Sequence, residues 1–263
     1  MFWYEGKLIK TDVIELDIYN PAFLYGATIF TTMRVYKKSL NHPLTNWKYH
    51  QNRLNYSIKS FNWTEPNWTR VTEGIQELLK YFPVLRITIF PDGTELIIGR
   101  NLPLDLLPNQ QQGIIGWLAS PSYQRNLSNH KTGNYLGAWL ALKNAQKKGA
   151  KEAILVDKNN NWLETSTGNL WGYKEGIWFT PSLDNNILPG IMRQIIIEKS
   201  SFPIQENVWD KNFVKTLEAV AYTNCVVELI PFQKIKTPQT ELNFKVSSDI
   251  FQQLKIKYLK YQV

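Results

Sequence analysis

Three phrases in the middle of the chain decide the fold: HKTGNYLGAWLALKNAQKKGA (130–150), WLETSTGNLWGY (162–173) and ILPGIMRQ (187–194). The first predicts an irregular start followed by a helix over 134–148 that ends at Gly149. The apolar residues of this helix are spaced to face a core: Leu136, Trp139 and Leu140. Short strands with tight turns follow, and the Pro-Gly of the third phrase predicts a helix that begins near Ile191.

Length and composition indicate a globular protein. The chain has 263 residues, of which 43% are hydrophobic and 20% are charged, enough for one large domain or two modest ones. The apolar runs are too short to span a bilayer, and MFWYEGKLIKTD lacks the apolar core of a signal peptide, so we expect a cytoplasmic protein. Cys225 is the only cysteine, which excludes an intrachain disulfide, and the three scattered histidines have no metal-ligand spacing.

A net charge of +8 and an aromatic content of 13% leave two interpretations open. A basic, aromatic-rich surface is compatible with a non-catalytic protein that binds nucleic acid. The lysines are spread along the chain without a nucleic-acid-binding motif, which favours an ordinary solvated surface or one that attracts an anionic substrate. We therefore predict neither a nucleic-acid partner nor a membrane partner.

Local patterns in the first half predict a mixed α/β domain. Residues 2–9 have the pattern of a hairpin with a Glu-Gly turn. Residues 27–36 are rich in β-branched and aromatic side chains, which predicts a strand, and 39–44 are its expected partner. The periodicity over 45–61 predicts a helix, with Thr45 as its N-cap.

Breaks in these patterns predict the domain organisation. Residues 101–113 contain two prolines and a polar run, and the stretch PSYQRNLSNH has no periodicity. We predict a small N-terminal domain over 1–118, an interdomain loop over 119–128, and a larger domain over 129–263 that carries Lys131. A helix over about 247–260 is expected to end the chain.

Five features fit an enzyme that holds an aldehyde cofactor with a ring nitrogen and a phosphate. Lys131 becomes a nucleophile if burial or nearby cations lower its proton affinity, although most lysines are only solvated. Glu164 can pair with a protonated ring nitrogen or simply cap a turn. Amides at the helix start near Ile191 and the guanidinium of Arg53 suit a phosphate, although an ordinary helix entry and a surface salt bridge are the commoner interpretations of these two features taken alone. Tyr135 can bind a phenolic oxygen or only pack.

Seven sequence blocks occur in one order over about residues 2–235: YGATIFTTMRVY, YHQNRL, HKTGNYL, EAILVD, LETSTGNLW, ILPGIMR and AYTNCVVELIPF. This order resembles the class IV aminotransferase family, which includes branched-chain and D-amino-acid aminotransferases and 4-amino-4-deoxychorismate lyase. The resemblance implies an α+β, two-domain fold of type IV, with a small N-terminal α/β domain and a larger C-terminal pseudo-barrel domain. It also implies pyridoxal 5′-phosphate (PLP) in the cleft between the domains, and a homodimer.

The resemblance implies roles for particular residues. Lys131 matches the lysine that forms the Schiff base with PLP, Glu164 the partner of the pyridine nitrogen, and Arg53 an arginine that binds the phosphate. The other cofactor-binding residues that it implies are Tyr135 at the phenolic oxygen, Gly190, Ile191 and Met192 in the phosphate-binding turn, and Asn224 and Cys225 at the phosphate. Cysteine departs from the hydroxyl residues that the family often has there, which favours a backbone contact.

The first block distinguishes two activities within the family. Aminotransferases of the branched-chain type tend to carry Phe-Glu-Gly-Ile-Arg, whereas residues 30–34 read FTTMR, which resembles the lyase subgroup. This implies aminodeoxychorismate lyase activity, which forms 4-aminobenzoate and pyruvate for folate biosynthesis, with an aminotransferase as the alternative. Lys131 and Thr32 are then expected to be catalytic, and Tyr25, Thr32 and Arg86 to bind the substrate. Arg86 fits a strand salt bridge equally well, and the GAT that follows Tyr25 departs from the acidic-Gly pair common in lyases.

Overall fold

The computed structural model describes the backbone of residues 1–259 and the side chains of residues 1–254. Contacts divide the chain into two compact units. Unit 1 comprises Met1–Pro103 and the short segment His130–Asn134. Unit 2 comprises Leu104–Asn129 and the described residues from Tyr135 onward.

This division differs from the predicted domain boundary of 119–128 in two places. Residues 104–118 belong to unit 2, because the strand Ile114–Leu118 is hydrogen-bonded to two strands of that unit. Residues 130–134 belong to unit 1, because backbone hydrogen bonds join them to residues 28–30. Both departures arise from pairing between distant segments, which local composition does not reveal.

Unit 1 is built on an antiparallel sheet. Its strands are β1 (Phe2–Tyr4), β2 (Lys7–Ile9), β3 (Ile29–Arg34), β4 (Val84–Ile89) and β5 (Glu95–Arg100). They are ordered β2-β1-β5-β4-β3. The predicted hairpin is confirmed, and both Glu5 and Gly6 have positive φ (47° and 75°), as a two-residue turn requires. The predicted strand over 39–44 is wrong: β3 pairs with β4, and Tyr36 and Ser39 form an isolated bridge.

Unit 1 contains three described helices, of which the second and third pack on this sheet. They are α1 (Pro21–Tyr25), α2 (Trp47–Ser60) and α3 (Trp68–Leu78). α2 packs on β3, and α3 packs on β1 and β5, around a core that includes Trp3, Met33, Leu54, Ile75 and Ile87. The predicted cap at Thr45 is wrong, because Asn46 precedes the helix and the buried Thr45 hydroxyl donates to Ser39 O at 2.9 Å.

Unit 2 contains a closed barrel. The strands described in this unit are β6 (Ile114–Leu118), β7 (Glu152–Val156), β8 (Trp162–Thr165), β9 (Asn169–Lys174), β10 (Ile177–Pro181), β11 (Ile204–Asn207), β12 (Ala219–Asn224), β13 (Glu228–Lys236) and β14 (Glu241–Asn243). Six of them form a ring in the order β9-β12-β13-β6-β7-β8. The ring closes where Glu164 of β8 pairs with Asn169 of β9. The predicted pseudo-barrel is therefore confirmed.

Unit 2 also contains described helices. They are α4 (Leu106–Gln112), α5 (Leu136–Lys147), α6 (Ile191–Lys199), α7 (Lys211–Val214) and α8 (Ser248–Leu259). The predicted apolar stripe of α5 is wrong: Leu136 and Trp139 are exposed, and three alanines (138, 141 and 145) are buried in the cluster that includes β7. α8 matches the predicted C-terminal helix, whose residue 260 lies outside the described residues. No helix in the described part of the chain is long and apolar enough to cross a membrane.

Candidate active site

Lys131 lies on a segment that is held against the start of β3. The Phe30 N–H donates to the Lys131 carbonyl oxygen at 2.8 Å, and the Gly133 N–H donates to Thr28 O at 2.6 Å. A Cβ at Gly133 would overlap the Thr28 hydroxyl and lie 2.6 Å from Gly26 O. The glycine two residues after Lys131 is therefore required by close backbone packing.

The ring of Phe30 has two cations as neighbours. Lys131 Nζ lies 4.8 Å from the ring centroid, and Arg86 Cζ lies 3.5 Å from it. Thr32 shares a face of β3 with Phe30, because side chains alternate along a strand, and it is the register partner of Arg86 on β4. Unit 1 thus places Lys131 and Arg86 around one aromatic ring, with the Thr32 hydroxyl on the same face of the sheet.

Arg53 on α2 is held by a series of hydrogen bonds between polar side chains. Its Nη2 donates to Thr31 Oγ1 at 2.7 Å, and that hydroxyl lies 2.6 Å from His50 Nδ1. Burial lowers the pKa of His50 well below its usual value, and the positive charges of Arg53 and Lys131 lower it further. The Nδ1 of a neutral His50 can accept a hydrogen bond from the Thr31 hydroxyl, while the hydroxyl oxygen accepts one from Arg53. These hydrogen bonds fix the direction of the Arg53 guanidinium.

Tyr25 is the last residue of α1 and is 75% exposed. Gly26 caps the helix in the left-handed conformation (φ 63°), and a Cβ there would lie 3.6 Å from the Asn134 backbone nitrogen. The end of α1 is therefore packed against the segment that carries Lys131, and Tyr25 projects from that end.

Glu164 at the end of β8 is held by a buried arginine. Arg125 Nη1 donates to Glu164 Oε1 at 2.8 Å, and the two side chains are 4% and 6% exposed. The Leu188 N–H donates to Glu164 Oε2 at 3.1 Å. Arg125 Cζ also lies 4.8 Å from the ring centroid of Tyr135, the residue that precedes α5. Burial by itself lowers the pKa of Arg125, but Glu164 and Tyr135 raise it by more, so its net pKa is above the usual value.

The start of α6 offers backbone amides. Gly190 precedes the helix and has no side chain that could cap it. The first helical hydrogen bond runs from the Gln194 N–H to Gly190 O at 2.9 Å, and Ile191 and Met192 lie in the first turn of the helix. A Cβ at Gly190 would overlap Asn169 Oδ1, which explains why glycine stands there. This end of the helix favours an anion.

Asn224 and Cys225 lie at the end of β12. Asn224 Oδ1 accepts from the Val226 N–H at 2.9 Å and from the Val227 N–H at 3.0 Å. Its Nδ2 donates to Thr167 O at 3.3 Å. The carboxamide of Asn224 is therefore committed to the turn that carries the partly buried Cys225.

A second buried carboxyl supports the loop between β8 and β9. Glu152 at the start of β7 accepts hydrogen bonds from the Ser166 hydroxyl, the Thr167 hydroxyl at 2.5 Å and the Ala153 N–H at 2.9 Å. Burial raises the pKa of Glu152, and these hydrogen bonds only partly oppose the rise. A charged residue at the start of the apolar segment EAILVD is the feature of the sequence that could have indicated this role of Glu152.

The predicted residues fall into two sets, one in each unit. The lysine set in unit 1 consists of Tyr25, Thr32, Arg53, Arg86 and Lys131. The carboxylate set in unit 2 consists of Tyr135, Glu164, Gly190, Ile191, Met192, Asn224 and Cys225. Sequence reasoning missed Thr31, His50 and Arg125, which hold members of the two sets. His50 could have been found, since it lies one helical turn before Arg53, but Arg125 stands in a stretch without a pattern.

Unit 1 thus places an amine beside an aromatic ring, and unit 2 has a buried carboxylate and a helix start without a side-chain cap. The sequence profile described as "Amino-transferase class IV" matches residues 28–235. The chain belongs to the class IV aminotransferase family. The prediction of an enzyme from this PLP-dependent family is therefore confirmed.

Relatives of two activities resemble the chain to the same degree. It is 24% identical over 270 residues to the branched-chain-amino-acid aminotransferase of Escherichia coli (strain K12), a match that covers 89% of this chain and 84% of the relative. It is also 24% identical over 265 residues to the aminodeoxychorismate lyase of Bacillus subtilis (strain 168), covering 90% and 87%. Identity alone therefore does not separate the two activities.

A solved structure has the same fold. The branched-chain aminotransferase of Thermoproteus uzoniensis superposes with a TM-score of 0.83 and 18% identity, covering 99% of this chain and 94% of the other. This likeness, together with the barrel of unit 2, confirms the predicted α+β fold of type IV.

Proposed function

We propose that the protein is an aminodeoxychorismate lyase that forms 4-aminobenzoate and pyruvate. The observation that carries this proposal is the arrangement on β3 and β4. Phe30 contacts both Lys131 and Arg86, and Thr32 stands opposite Arg86 on the same face of the sheet. A base, a hydroxyl and a carboxylate-binding cation together suit the elimination of an acidic side chain from an amine-bearing ring.

The donor groups of each set, taken by themselves, have the chemistry that a part of PLP requires. When bound, this cofactor supplies an aldehyde that captures amines and a protonated ring that withdraws electrons. We assign Lys131 to the aldehyde, Glu164 to the ring nitrogen, and Arg53 with the first amides of α6 to the phosphate. The hydrogen bonding of Glu164 supports this assignment: it accepts two hydrogen bonds from the described residues, whereas a carboxylate has about four acceptor sites.

Other members of the sets orient these groups. We assign the Tyr135 hydroxyl to the phenolic oxygen of the cofactor, and the backbone at Gly190, Asn224 and Cys225 to its phosphate. Backbone contacts are favoured at the β12 turn because the Asn224 carboxamide already bonds Val226 and Val227.

Two residues move protons in the proposed reaction. Lys131 Nζ removes the proton from the substrate carbon that bears the amine. This step requires the side-chain amine of Lys131 to be neutral at that moment. The side chain then leaves as enolpyruvate, and Thr32 orients the leaving group or delivers the proton that converts it to pyruvate. Arg86 and Tyr25 bind the substrate, Arg86 by pairing with a carboxylate.

The test is product analysis. We expect the purified, PLP-loaded protein to convert aminodeoxychorismate to equal amounts of 4-aminobenzoate and pyruvate. Lys131→Ala should abolish both products, whereas Lys143→Ala on the surface of α5 should not change them. Transamination of branched-chain or D-amino acids with a keto acid, without 4-aminobenzoate, would reject the lyase proposal.

The second candidate function is that aminotransferase activity. It is favoured by the Escherichia coli relative, whose identity to this chain equals that of the Bacillus lyase. The assigned residues serve both reactions, so only the products distinguish them. The net charge of +8 keeps a remote alternative, a non-catalytic nucleic-acid-binding protein, which a colourless preparation with salt-sensitive DNA or RNA binding would favour.

We also propose a cytoplasmic homodimer. Exposed apolar side chains on α5 support self-association, since Leu136 is 61% and Trp139 is 53% exposed. Light scattering after size exclusion should give twice the chain mass of 30.7 kDa. A monomer at micromolar concentration would contradict this part of the proposal.

A further inference from the structure

Arg125 is a buried cation that contacts two members of the carboxylate set. Its side chain is 4% exposed, its Nη1 donates to Glu164 at 2.8 Å, and its guanidinium carbon lies 4.8 Å from the ring centroid of Tyr135. Glu164 also accepts from the N–H of Leu188, in the loop that leads into α6, so two hydrogen bonds connect Arg125 to that loop. A single side chain therefore links the carboxylate, the tyrosine and the approach to the anion-binding helix start.

A contribution to the stability of the fold does not explain well why Arg125 and Glu164 form a buried ion pair. A buried ion pair is often no more stabilising than apolar side chains of the same volume, because desolvation offsets the attraction between the charges. The pair also has unusual geometry, since Arg125 bonds Glu164 through one nitrogen, although a guanidinium can donate two parallel bonds to a carboxylate. This single bond leaves acceptor capacity on a carboxylate that has almost no access to water.

The pair Arg70–Glu95 in unit 1 shows the alternative geometry. Arg70 donates to Glu95 through both Nε (2.9 Å) and Nη2 (2.6 Å). The Trp3 indole and the Gly6 N–H supply two further hydrogen bonds, so all the acceptor sites of Glu95 are used. Glu95 is saturated, whereas Glu164 keeps room for another donor.

We propose that Arg125 is a positioning residue of the cofactor site, which fixes the Glu164 carboxylate and the Tyr135 ring while leaving Glu164 able to accept from the cofactor's ring nitrogen. This inference rests on the proposed PLP function and goes beyond it, because it gives a role to a residue that the assignments above do not include. Its charge also lies next to the charge of Glu164. Removing it exposes the bound cofactor to an uncompensated carboxylate, which stabilises protonated forms of the cofactor.

The test measures the bound cofactor rather than turnover. In Arg125→Met we expect the pH midpoint of the cofactor's visible absorption change to rise by about one unit, and the Kd for PLP to rise about tenfold. Arg125→Lys keeps the charge but loses the planar group over Tyr135, so its midpoint should stay close to the wild-type value while its Kd rises. In a Glu164→Gln background, Arg125→Met should add little to the midpoint shift, because Arg125 acts through Glu164.

Arg70→Met is the matched control. It removes the arginine partner of a buried glutamate in unit 1, and should lower thermal stability without changing the midpoint or the Kd. An unchanged midpoint and Kd in folded Arg125→Met, or an equal shift in the Glu164→Gln background, would overturn the inference. If Arg125→Met does not fold, Arg125→Lys decides, and an unchanged Kd would overturn the inference.

The same experiments separate this inference from the lyase proposal. A wild-type protein that binds PLP at Lys131 but forms no 4-aminobenzoate would reject the lyase and leave the role of Arg125 intact. If the wild-type protein forms 4-aminobenzoate but Arg125→Met changes neither the midpoint nor the Kd, the role of Arg125 is rejected and the lyase proposal stands.

Discussion

Two buried glutamates, one in each unit, pair with an arginine in different ways. Glu95 in unit 1 is fully buried and accepts four hydrogen bonds: two from Arg70, one from Trp3 and one from Gly6. Glu164 in unit 2 is also buried, at 4% exposure, but accepts two hydrogen bonds from the described residues. The ion-pair chemistry is the same, and the number of occupied acceptor sites differs.

This difference separates a structural carboxylate from one with capacity to bind. The bonds of Glu95 join the β1–β2 hairpin and α3 to β5, so its role is completed within the fold. A buried acceptor with open sites is unfavourable unless another donor arrives. For Glu164 we propose that this donor is the ring nitrogen of PLP.

The largest expected effect is on stability, at the saturated glutamate. Glu95→Gln leaves Arg70 without a charged partner and places an amide donor among existing donors. We expect the free energy of unfolding to fall by about 3 kcal/mol, at the low end for a broken buried pair because Arg70 is partly exposed. Urea titration measures it. A loss of PLP binding by the folded variant would break the comparison.

Glu164→Gln is the reciprocal change. A neutral amide cannot stabilise a protonated ring, so we expect kcat to fall about a hundredfold, in the range for losing one preorganised electrostatic contact. Steady-state kinetics on the PLP-loaded variant measures the effect, and circular dichroism checks its fold. If Glu164→Gln retained full activity, this glutamate would be as structural as Glu95.

The same comparison between units can be made at two glycines. Gly133→Ala in unit 1 places a Cβ against Thr28 and Gly26, and should destabilise by about 2 kcal/mol through overpacking. Gly137→Ala on α5 of unit 2 meets its nearest atom at 3.4 Å and should be neutral or stabilise by up to about 1 kcal/mol. Thermal unfolding measures both variants. Equal effects would mean that the tight packing around the Lys131 segment is not needed.

The smallest effects concern pH and have opposite signs in the two units. The pKa of His50 is lowered, so the unfolded state binds its proton first and stability falls as pH drops below about 6.5. The pKa of Glu152 is raised, so the folded state keeps its proton longer and stability falls as pH rises above about 4.5. Each group contributes a slope of at most about 1.4 kcal/mol per pH unit.

Urea titrations at a series of pH values measure these slopes. His50→Gln should reduce the loss of stability that occurs as the pH falls below about 6.5. Glu152→Gln should reduce the loss of stability that occurs as the pH rises above about 4.5. Slopes that neither substitution changes would mean that other groups dominate the pH dependence.

Local patterns predicted the elements of this fold better than their pairing. The hairpin at residues 2–9 and the helix start near Ile191 follow from turn and capping chemistry, and both occur as predicted. The partner of β3 and the place of 104–118 depend on contacts between distant segments, which no local pattern encodes.

The prediction that the large apolar residues of α5 face a core was wrong for a related reason. Its alanines pack closely on β7, and its large apolar residues face outward. The predicted roles of the site residues came from motif resemblance. Arg125 belonged to no motif, and only its contacts with Glu164 and Tyr135 identified it.

The central claim is that Lys131 holds PLP covalently, and one measurement tests it directly. The PLP-supplemented protein is reduced with borohydride, digested and mapped by mass spectrometry. We expect a pyridoxyl label on Lys131. A preparation that carries the cofactor but has no label at Lys131, or has the label on another lysine, would contradict it.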